Sequence, residues 1–321
     1  PLTRHNMPPT VYIDGVAATT GLQIKARLEG RSDIELLRLP ESERKNTEQR
    51  RGMLNQADLA ILCLPDDAAR EAVALIANPE TRVIDSSTAH RTAQGWVYGF
   101  PEYGPGQRDS IASANRVANP GCYAIASVAI LHPLVSAKLI RPDWPVTINA
   151  VSGYSGGGKS LIGEYENGSP DVESGLPFFT YAHSLSHKHV PEITRWSGLS
   201  HAPVFMPSVG RFAQGMIVQL PLPLWSMPGA PAPADVHAAL AAHYEGERCV
   251  GVAALDAGKE LPRLEPEALN GTNELELYVF ASEDGSQAVV MGLLDNLGKG
   301  ASGQAVQNLN LMLGFAELAG L

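Results

Sequence analysis

The chain has 321 residues, enough for two domains with sizeable cores, and its 44% hydrophobic and 18% charged content describes a folded protein rather than a disordered one. Its formal net charge of −10 argues against nucleic acid or an anionic membrane as the main partner. No apolar run reaches membrane-spanning length, Pro1–Asn6 carries no signal-peptide core, and three widely spaced cysteines make no disulfide framework, so a reducing cytoplasm is the expected location.

Val11-Tyr12-Ile13 is a short apolar run stopped by Asp14-Gly15, the pattern of a buried first strand. Thr20–Leu28 has helical spacing, Gly30 ends it, and a second strand follows at Ile34–Leu39. Strand, glycine-bearing loop, helix and strand within so short a span make the βαβ unit of dinucleotide-binding folds. The loop reads G-x-x-A-x-x-G: Gly15, Ala18 and Gly21 take the fingerprint positions, with Thr19 and Thr20 opening the helix. After the second strand an NAD site places an acid at the ribose, whereas an NADP site places a cation at the 2′-phosphate. Arg38 stands there, so NADP is the expected cofactor; Arg44, Lys45, Arg50 and Arg51 also read as a solvated helix face.

Asp58–Leu64 is a continuous apolar run ended by Pro65, a buried parallel strand by type, and Asp66 reads as the N-cap of a helix through Ala77. Arg82–Asp85 makes another strand, closed by Ser86-Ser87-Thr88. Ligands lie at the carboxyl ends of such strands, which places Leu64, Pro65, Ser86 and Ser87 on the cofactor. Asn119-Pro120-Gly121 then forms a turn into a helix-compatible run that begins at Cys122.

Beyond that helix the texture changes. Strand-like Val146–Val151 leads into a glycine loop, and further strands are expected at Val204–Met206 and Met216–Leu220. A Pro-rich, linker-like stretch spans Pro221–Pro233, and a helix follows at Ala234–Tyr244. A strand at Val250–Leu255 precedes a hairpin of Glu274–Ser282 with Gln287–Leu294. Strands without crossover helices imply a mixed or antiparallel sheet. The expected fold is thus α/β: a Rossmann-like NADP-binding domain over residues 1–120, completed by a C-terminal helix at about 300–321, and an α+β catalytic and substrate-binding domain over 121–299.

Cys122 falls in the first turn of its helix, where unpaired N–H groups and the positive dipole end favour a thiolate. It is a candidate nucleophile; the alternative is a buried small hydrophobe, which is also how Cys63 and Cys249 read. His183, His187 and His189 invite a metal, but no Cys or acid lies at zinc-like spacing, so none is expected. As a base beside the thiol His189 fits, with Glu192 behind it as orienter. Gly153–Ser160 formally matches G-x-x-x-x-G-K-S, and a P-loop nucleotide hydrolase is the reading from a different class. Leu161–Tyr165 is short for the helix a P-loop opens, whereas anion binding by Ser152, Gly153, Ser155, Gly156 and Lys159 suits a substrate phosphate. Arg211 is a candidate for a substrate carboxylate, with Asn119 and Lys188 beside the chemistry. A thiol, a histidine, a nicotinamide half and a phosphate loop are the parts needed to reduce an acyl phosphate through a thioester.

Several segments, in this order, resemble one family: Ile13-Asp14-Gly15 with Thr19–Leu22, Leu62–Asp66, Asp85–Arg91, Tyr98–Glu102, Asn119–Tyr123, Ser152–Gly156, His187–Glu192 and Gly300–Asn308. The sequence resembles the N-acetyl-γ-glutamyl-phosphate reductases of arginine biosynthesis, in their shorter form and within the semialdehyde dehydrogenase superfamily. The resemblance implies Cys122 as nucleophile, His189 as acid/base, NADPH as reductant and N-acetyl-L-glutamyl 5-phosphate as substrate, in a homo-oligomer. Two positions depart from the family: Ala18 stands where Gly is common, and Lys188 where Arg is common, which keeps charge and loses the bidentate fork. An aspartate-semialdehyde dehydrogenase-like reductase of another acyl phosphate is the neighbouring alternative.

Overall fold

Along strand β1 (Thr10–Asp14) the side chains take opposite faces: Val11 and Ile13 pack with one buried cluster and Tyr12 with another. The same split recurs at Leu59/Ile61 against Ala60/Leu62, so both faces of this sheet are covered. The computed structural model describes residues 7–167 and 175–321, so Pro1–Asn6 lies outside it. After β1 come α1 (Thr19–Leu28), β2 (Glu35–Leu37), α2 (Thr47–Gln56), β3 (Leu59–Leu62), α3 (Asp66–Leu75), β4 (Arg82–Asp85), β5 (Val97–Tyr98), α4 (Gln107–Ser113) and β6 (Arg116–Ala118). The six strands form one all-parallel sheet in the order β2-β1-β3-β4-β6-β5. Successive strands leave β1 in opposite directions, which puts the topological switch point between β1 and β3.

The chain then forms α5 (Cys122–Ser136), β7 (Thr147–Gly153), α6 (Gly158–Glu166), β8 (Phe178–Thr180), α7 (Val190–Ser197), β9 (Val204–Gly210), β10 (Met216–Leu222), α8 (Pro233–His243), β11 (Val250–Val252), β12 (Leu275–Ala281) and β13 (Ala288–Leu294). These strands build a mixed seven-stranded sheet, β11-β12-β13-β10-β7-β9-β8, with β7 and β9 parallel and β10 antiparallel to both of its neighbours. Helix α5 is apolar on every side and buried along most of its length, as a helix enclosed by other elements must be. A last helix, α9 (Gly303–Leu313), contributes Val306, Leu309 and Met312 to the cluster that holds Val11 and Ile84.

By packing the chain divides into two units: one runs to Pro101 and adds Gly106–Pro120 and Ala301–Leu321; the other holds Glu102–Pro105 and Gly121–Gly300. The doubly wound parallel sheet and the mixed sheet are the fold class expected from sequence. Three local expectations change. Asp66 is the first residue of α3, not its cap; its carboxylate accepts from the Thr88 N–H at 3.0 Å and from the Thr88 hydroxyl. The Pro-rich stretch is not a linker at its start, because Pro221 and Leu222 extend β10 and pair with Val289 and Ala288. Arg44 and Lys45 are exposed but precede α2, and Arg50 ion-pairs with buried Asp14 at 2.8 Å, so of the four only Arg51 is an exposed cation on the helix itself, 3.5 Å from Glu48.

Candidate active site

In the first unit the carboxyl ends of β1 and β3 come so close that a side chain at residue 15 has no room. A Cβ on Gly15 would lie 2.2 Å from the Cys63 carbonyl oxygen, and its φ is +83°. The loop runs into α1, whose N-cap, Ala18, offers no side-chain acceptor, so the first-turn N–H groups at Thr19 and Thr20 have no side-chain cap, the condition under which a helix start takes an anion. Beside the loop lies a cleft of about 510 Å³ whose lining includes Gly15, Val16 and Leu64 together with Arg38, Arg44, Lys45 and Arg50. Among the described residues that line it the one acid is Asp14, already held by Arg50, so the cleft is cationic in a chain that is anionic overall. Arg38 is exposed and also reaches Glu29 at 3.3 Å.

At the end of β4 the two serines separate. Ser87 is committed: its hydroxyl donates to Asp85 at 2.7 Å and accepts the Ala89 N–H at 3.2 Å. Asp85 also holds His90 at 2.6 Å, and His90 stacks on Trp96. Ser86 has a buried hydroxyl whose neighbour is the buried Cys63 thiol, a weak hydrogen-bonding partner, so its oxygen can still serve a ligand. The residues therefore fit a dinucleotide: a glycine that admits a close approach, a helix start without a side-chain cap, a cationic cleft and a weakly engaged hydroxyl. Asn119 is different. It is buried, its Nδ2 donates to Ala301 O and its Oδ1 accepts from Asn308, so its side chain braces the end of β6.

In the second unit Cys122 is the first residue of α5 and is half-buried, while the helix behind it is locked in the core. Gly121, the N-cap, lends no side chain, so the amides of the first turn and the helix dipole act on the thiol. The Gly121 N–H donates to Glu192 Oε1 at 2.9 Å, a buried bond that joins the start of α5 to the first turn of α7. His189, buried, is the N-cap residue of α7. Tyr123 makes the second link: its ring meets the edges or faces of His187 at 5.7 Å and His189 at 5.9 Å. Two helix N-termini, one bearing the thiol and one the histidine, are thus held together. The His189 N–H donates to His187 Nδ1 at 3.1 Å, which puts the proton of neutral His187 on Nε2. His183 bonds Thr180 instead of sharing a helix face with His187, which removes the i,i+4 metal geometry.

The Tyr123 hydroxyl donates to Ser208 O and accepts from Tyr181, both at 3.2 Å. Burial drives the Tyr123 phenol far above its ordinary range and pushes Tyr181 up to about 12, so both stay neutral donors at physiological pH. Sequence reading passed over this pair because a tyrosine inside an apolar helical run looks like packing.

The glycine loop is not a phosphate cradle of the P-loop kind. The amides of Gly153, Tyr154 and Ser155 donate to the carbonyls of Gly215, Phe212 and Ala213. The sheet is mixed, and the helix that follows is 9 residues long. Beyond these amides Gly156 and Gly157 are exposed, as is Lys159 near the start of α6. Ser152 and Ser155 are buried; the Ser152 hydroxyl donates to Gly153 O, and Ser155 accepts from Asn296 Nδ2 at 3.1 Å. Gly153 and Gly210 face each other in register at the carboxyl ends of β7 and β9, so Arg211, exposed, follows directly beside the loop. Lys188 is exposed in the turn before His189.

Two family models match the chain: the semialdehyde dehydrogenase NAD binding domain over residues 10–114 and the semialdehyde dehydrogenase dimerisation domain over 122–296. The chain belongs to the semialdehyde dehydrogenase family and is an oxidoreductase. Among curated relatives it is 53% identical to the N-acetyl-gamma-glutamyl-phosphate reductase of Chelativorans sp., over 96% of this chain and 99% of that protein. With the protein of that name from Trichormus variabilis it shares 50% identity over 98% of this chain and 99% of the relative. Solved structures share the fold: a probable aspartate-semialdehyde dehydrogenase from Pseudomonas aeruginosa matches with TM-score 0.69 at 16% identity, covering 95% of this chain and 98% of that one. Aspartate semialdehyde dehydrogenase with NADP from Candida albicans matches with TM-score 0.63 at 14% identity, covering 95% and 98%. Among the described residues, no helix is long and apolar enough to cross a membrane.

The Gly121–Glu192 bond makes a measurable demand on stability. Glu192→Leu leaves a buried N–H without its acceptor and should lower the unfolding free energy by about 1–3 kcal/mol, whereas Glu192→Gln keeps an acceptor and should cost clearly less. Urea unfolding followed by circular dichroism separates the two; equal losses would contradict the assignment.

Proposed function

We propose that this chain reduces N-acetyl-L-glutamyl 5-phosphate to N-acetyl-L-glutamate 5-semialdehyde with NADPH, in arginine biosynthesis, through a thioester on Cys122. The observation that carries the reading is the pairing of two helix starts, with Cys122 at the head of α5 and His189 at the head of α7, joined through Gly121–Glu192 and Tyr123. The substrate is supported by the name shared by relatives at about half identity over nearly the whole chain.

In this reading His189 takes the Cys122 proton, and the thiolate attacks the acyl carbon. The C–O bond to phosphate breaks, His189 returns its proton to the departing phosphate, and the acyl group stays on sulfur. When bound, NADPH supplies the hydride that the thioester carbonyl accepts. Cys122 then leaves as the thiolate, releasing the aldehyde, and the first-turn amides of α5 stabilise that leaving sulfur. Glu192 holds the α5 start in place, and the neutral phenols of Tyr123 and Tyr181, bonded to each other, add no charge beside the thiol. Lys159, Gly156 and Arg211 carry the charges of the substrate, with Lys188 nearby and Ser152 and Ser155 shaping the loop.

The cofactor would lie along Gly15, Ala18, Thr19, Thr20 and Gly21, with Ser86, Leu64 and Pro65 at the strand ends. Arg38, with Arg44 and Lys45, supports NADP over NAD because the cleft offers cations where an NAD site offers an acid. We also assign a second copy of the chain to the open face of the mixed sheet, where Val204 and Met206 are 44% and 45% exposed while Phe205 between them is buried. The family's description of this segment as a dimerisation domain supports that use.

With N-acetyl-glutamate semialdehyde, phosphate and NADP⁺, the purified protein should turn over at least ~100-fold faster than with aspartate semialdehyde, since its site must hold the acyl-amino group as well. Comparable rates would favour the aspartate-type alternative. Cys122→Ser should lower kcat by roughly 10³-fold or more and leave NADPH affinity unchanged; a rate near wild type rules out the thioester route. Arg38→Ser should raise the KM for NADPH about tenfold, the loss of one charge-assisted bond, with little change for NADH; equal effects on both cofactors would remove Arg38 from the 2′-phosphate.

A further inference from the structure

Lys299 and Glu102 are both fully buried, and the Lys299 ammonium sits 2.9 and 3.0 Å from the two carboxylate oxygens of Glu102. Burying two charges is costly even when they pair, and an apolar pair of the same volume usually serves stability as well or better. Stability alone therefore gives no reason for this pair.

Its surroundings supply one. Lys299 lies in a turn of π-helix, Gly298–Ser302, a rare geometry that recurs at functional sites. The next residue, Gly300, packs flat against the nucleophile: a Cβ there would lie 2.9 Å from Cys122 Cβ and 3.3 Å from its Cα. The Gly300 N–H donates to Asp295 O, and Asp295 is itself fixed by Gln214, Gly271 and Leu297. From the same turn Asn296 accepts the Gly215 N–H at 2.7 Å and donates to Ser155 at 3.1 Å. One buried turn, 295–300, thus touches Cys122 at one end and the 152–156 loop at the other.

We infer that the Lys299–Glu102 ion pair is a positioning pair, which locks the 295–300 turn so that Gly300 sets the place of Cys122 relative to the Ser155 loop. A directional ion pair fixes the turn to within a hydrogen bond's tolerance, which apolar packing at the same place does not. The inference rests on Cys122 being the reactive thiol and refines how the proposed reaction is kept in register. Neither Lys299 nor Glu102 need touch the substrate.

The test compares wild type with the double variant Glu102→Leu/Lys299→Met, which removes both charges and leaves none unpaired. Three quantities are read: the thermal unfolding midpoint, steady-state kcat and KM for N-acetyl-glutamate semialdehyde, and the rate of Cys122 alkylation by iodoacetamide, followed on the Cys122 peptide by mass spectrometry. The expected result is a midpoint near wild type, kcat lower by about tenfold or more, KM changed by less than about threefold, and alkylation slowed at least about fivefold. A folded double variant with kcat and alkylation within about twofold of wild type overturns the inference. Should the double variant fail to fold, Glu102→Asp retains the charge while drawing the ammonium back by one methylene; the same slowing of alkylation is expected, and alkylation within about twofold of wild type overturns the inference. Alkylation needs neither semialdehyde nor cofactor, so it judges the positioning even if wild type fails to turn over this substrate, which would sink the proposed reaction alone.

Discussion

A single backbone amide, Gly121 N–H, and the carboxylate it reaches on Glu192 set the geometry on which the second unit depends. Helix α5 is held against shifts along its axis because most of its side chains are buried, and α7 cannot turn away while Glu192 remains bonded inside the core. A residue at the head of either helix is therefore placed by the whole core rather than by a mobile loop. Chemistry that needs a thiol and an imidazole in fixed relation gains from that arrangement, since small displacements of reacting groups carry large penalties in rate. The 295–300 turn continues the same logic by supporting the thiol-bearing residue from its other side.

The first unit solves a different problem, the attraction of an anionic cofactor to an anionic protein. Overall charge opposes the encounter, yet Lys25, Arg38, Arg44, Lys45 and Arg50 line one cleft with a single acid among them. At physiological salt charges interact over about 8 Å, so this local set, not the distant acids, governs what the cleft holds. The Asp14–Arg50 pair within it neutralises the acid that would otherwise repel a phosphate.

The framework was legible where periodicity was strong. The apolar runs at Val11–Ile13, Asp58–Leu64 and Arg82–Asp85 became strands of the parallel sheet, and the hairpin at the end of the mixed sheet formed as the alternation required. Local chemistry misled where tertiary partners decided. Asp66 has the composition of a cap but serves Thr88, and the G-x-x-x-x-G-K-S run gives three of its amides to neighbouring carbonyls. Lys299 and Glu102 lie 197 residues apart, and no pattern in one sequence could have paired them. Cys122 itself stood out for its turn and its helix start, both local features, and that is why it was visible.

The central claim is that an acyl group resides on Cys122 during the reaction. Incubating the protein with N-acetyl-L-glutamyl 5-phosphate and no reduced cofactor, then quenching in acid and digesting, should give a Cys122 peptide heavier by one N-acetylglutamyl group, lost again on adding NADPH. Cys63 and Cys249, both buried, should stay unmodified. Phosphate release without any adduct on Cys122, or an adduct on another side chain, would contradict the account.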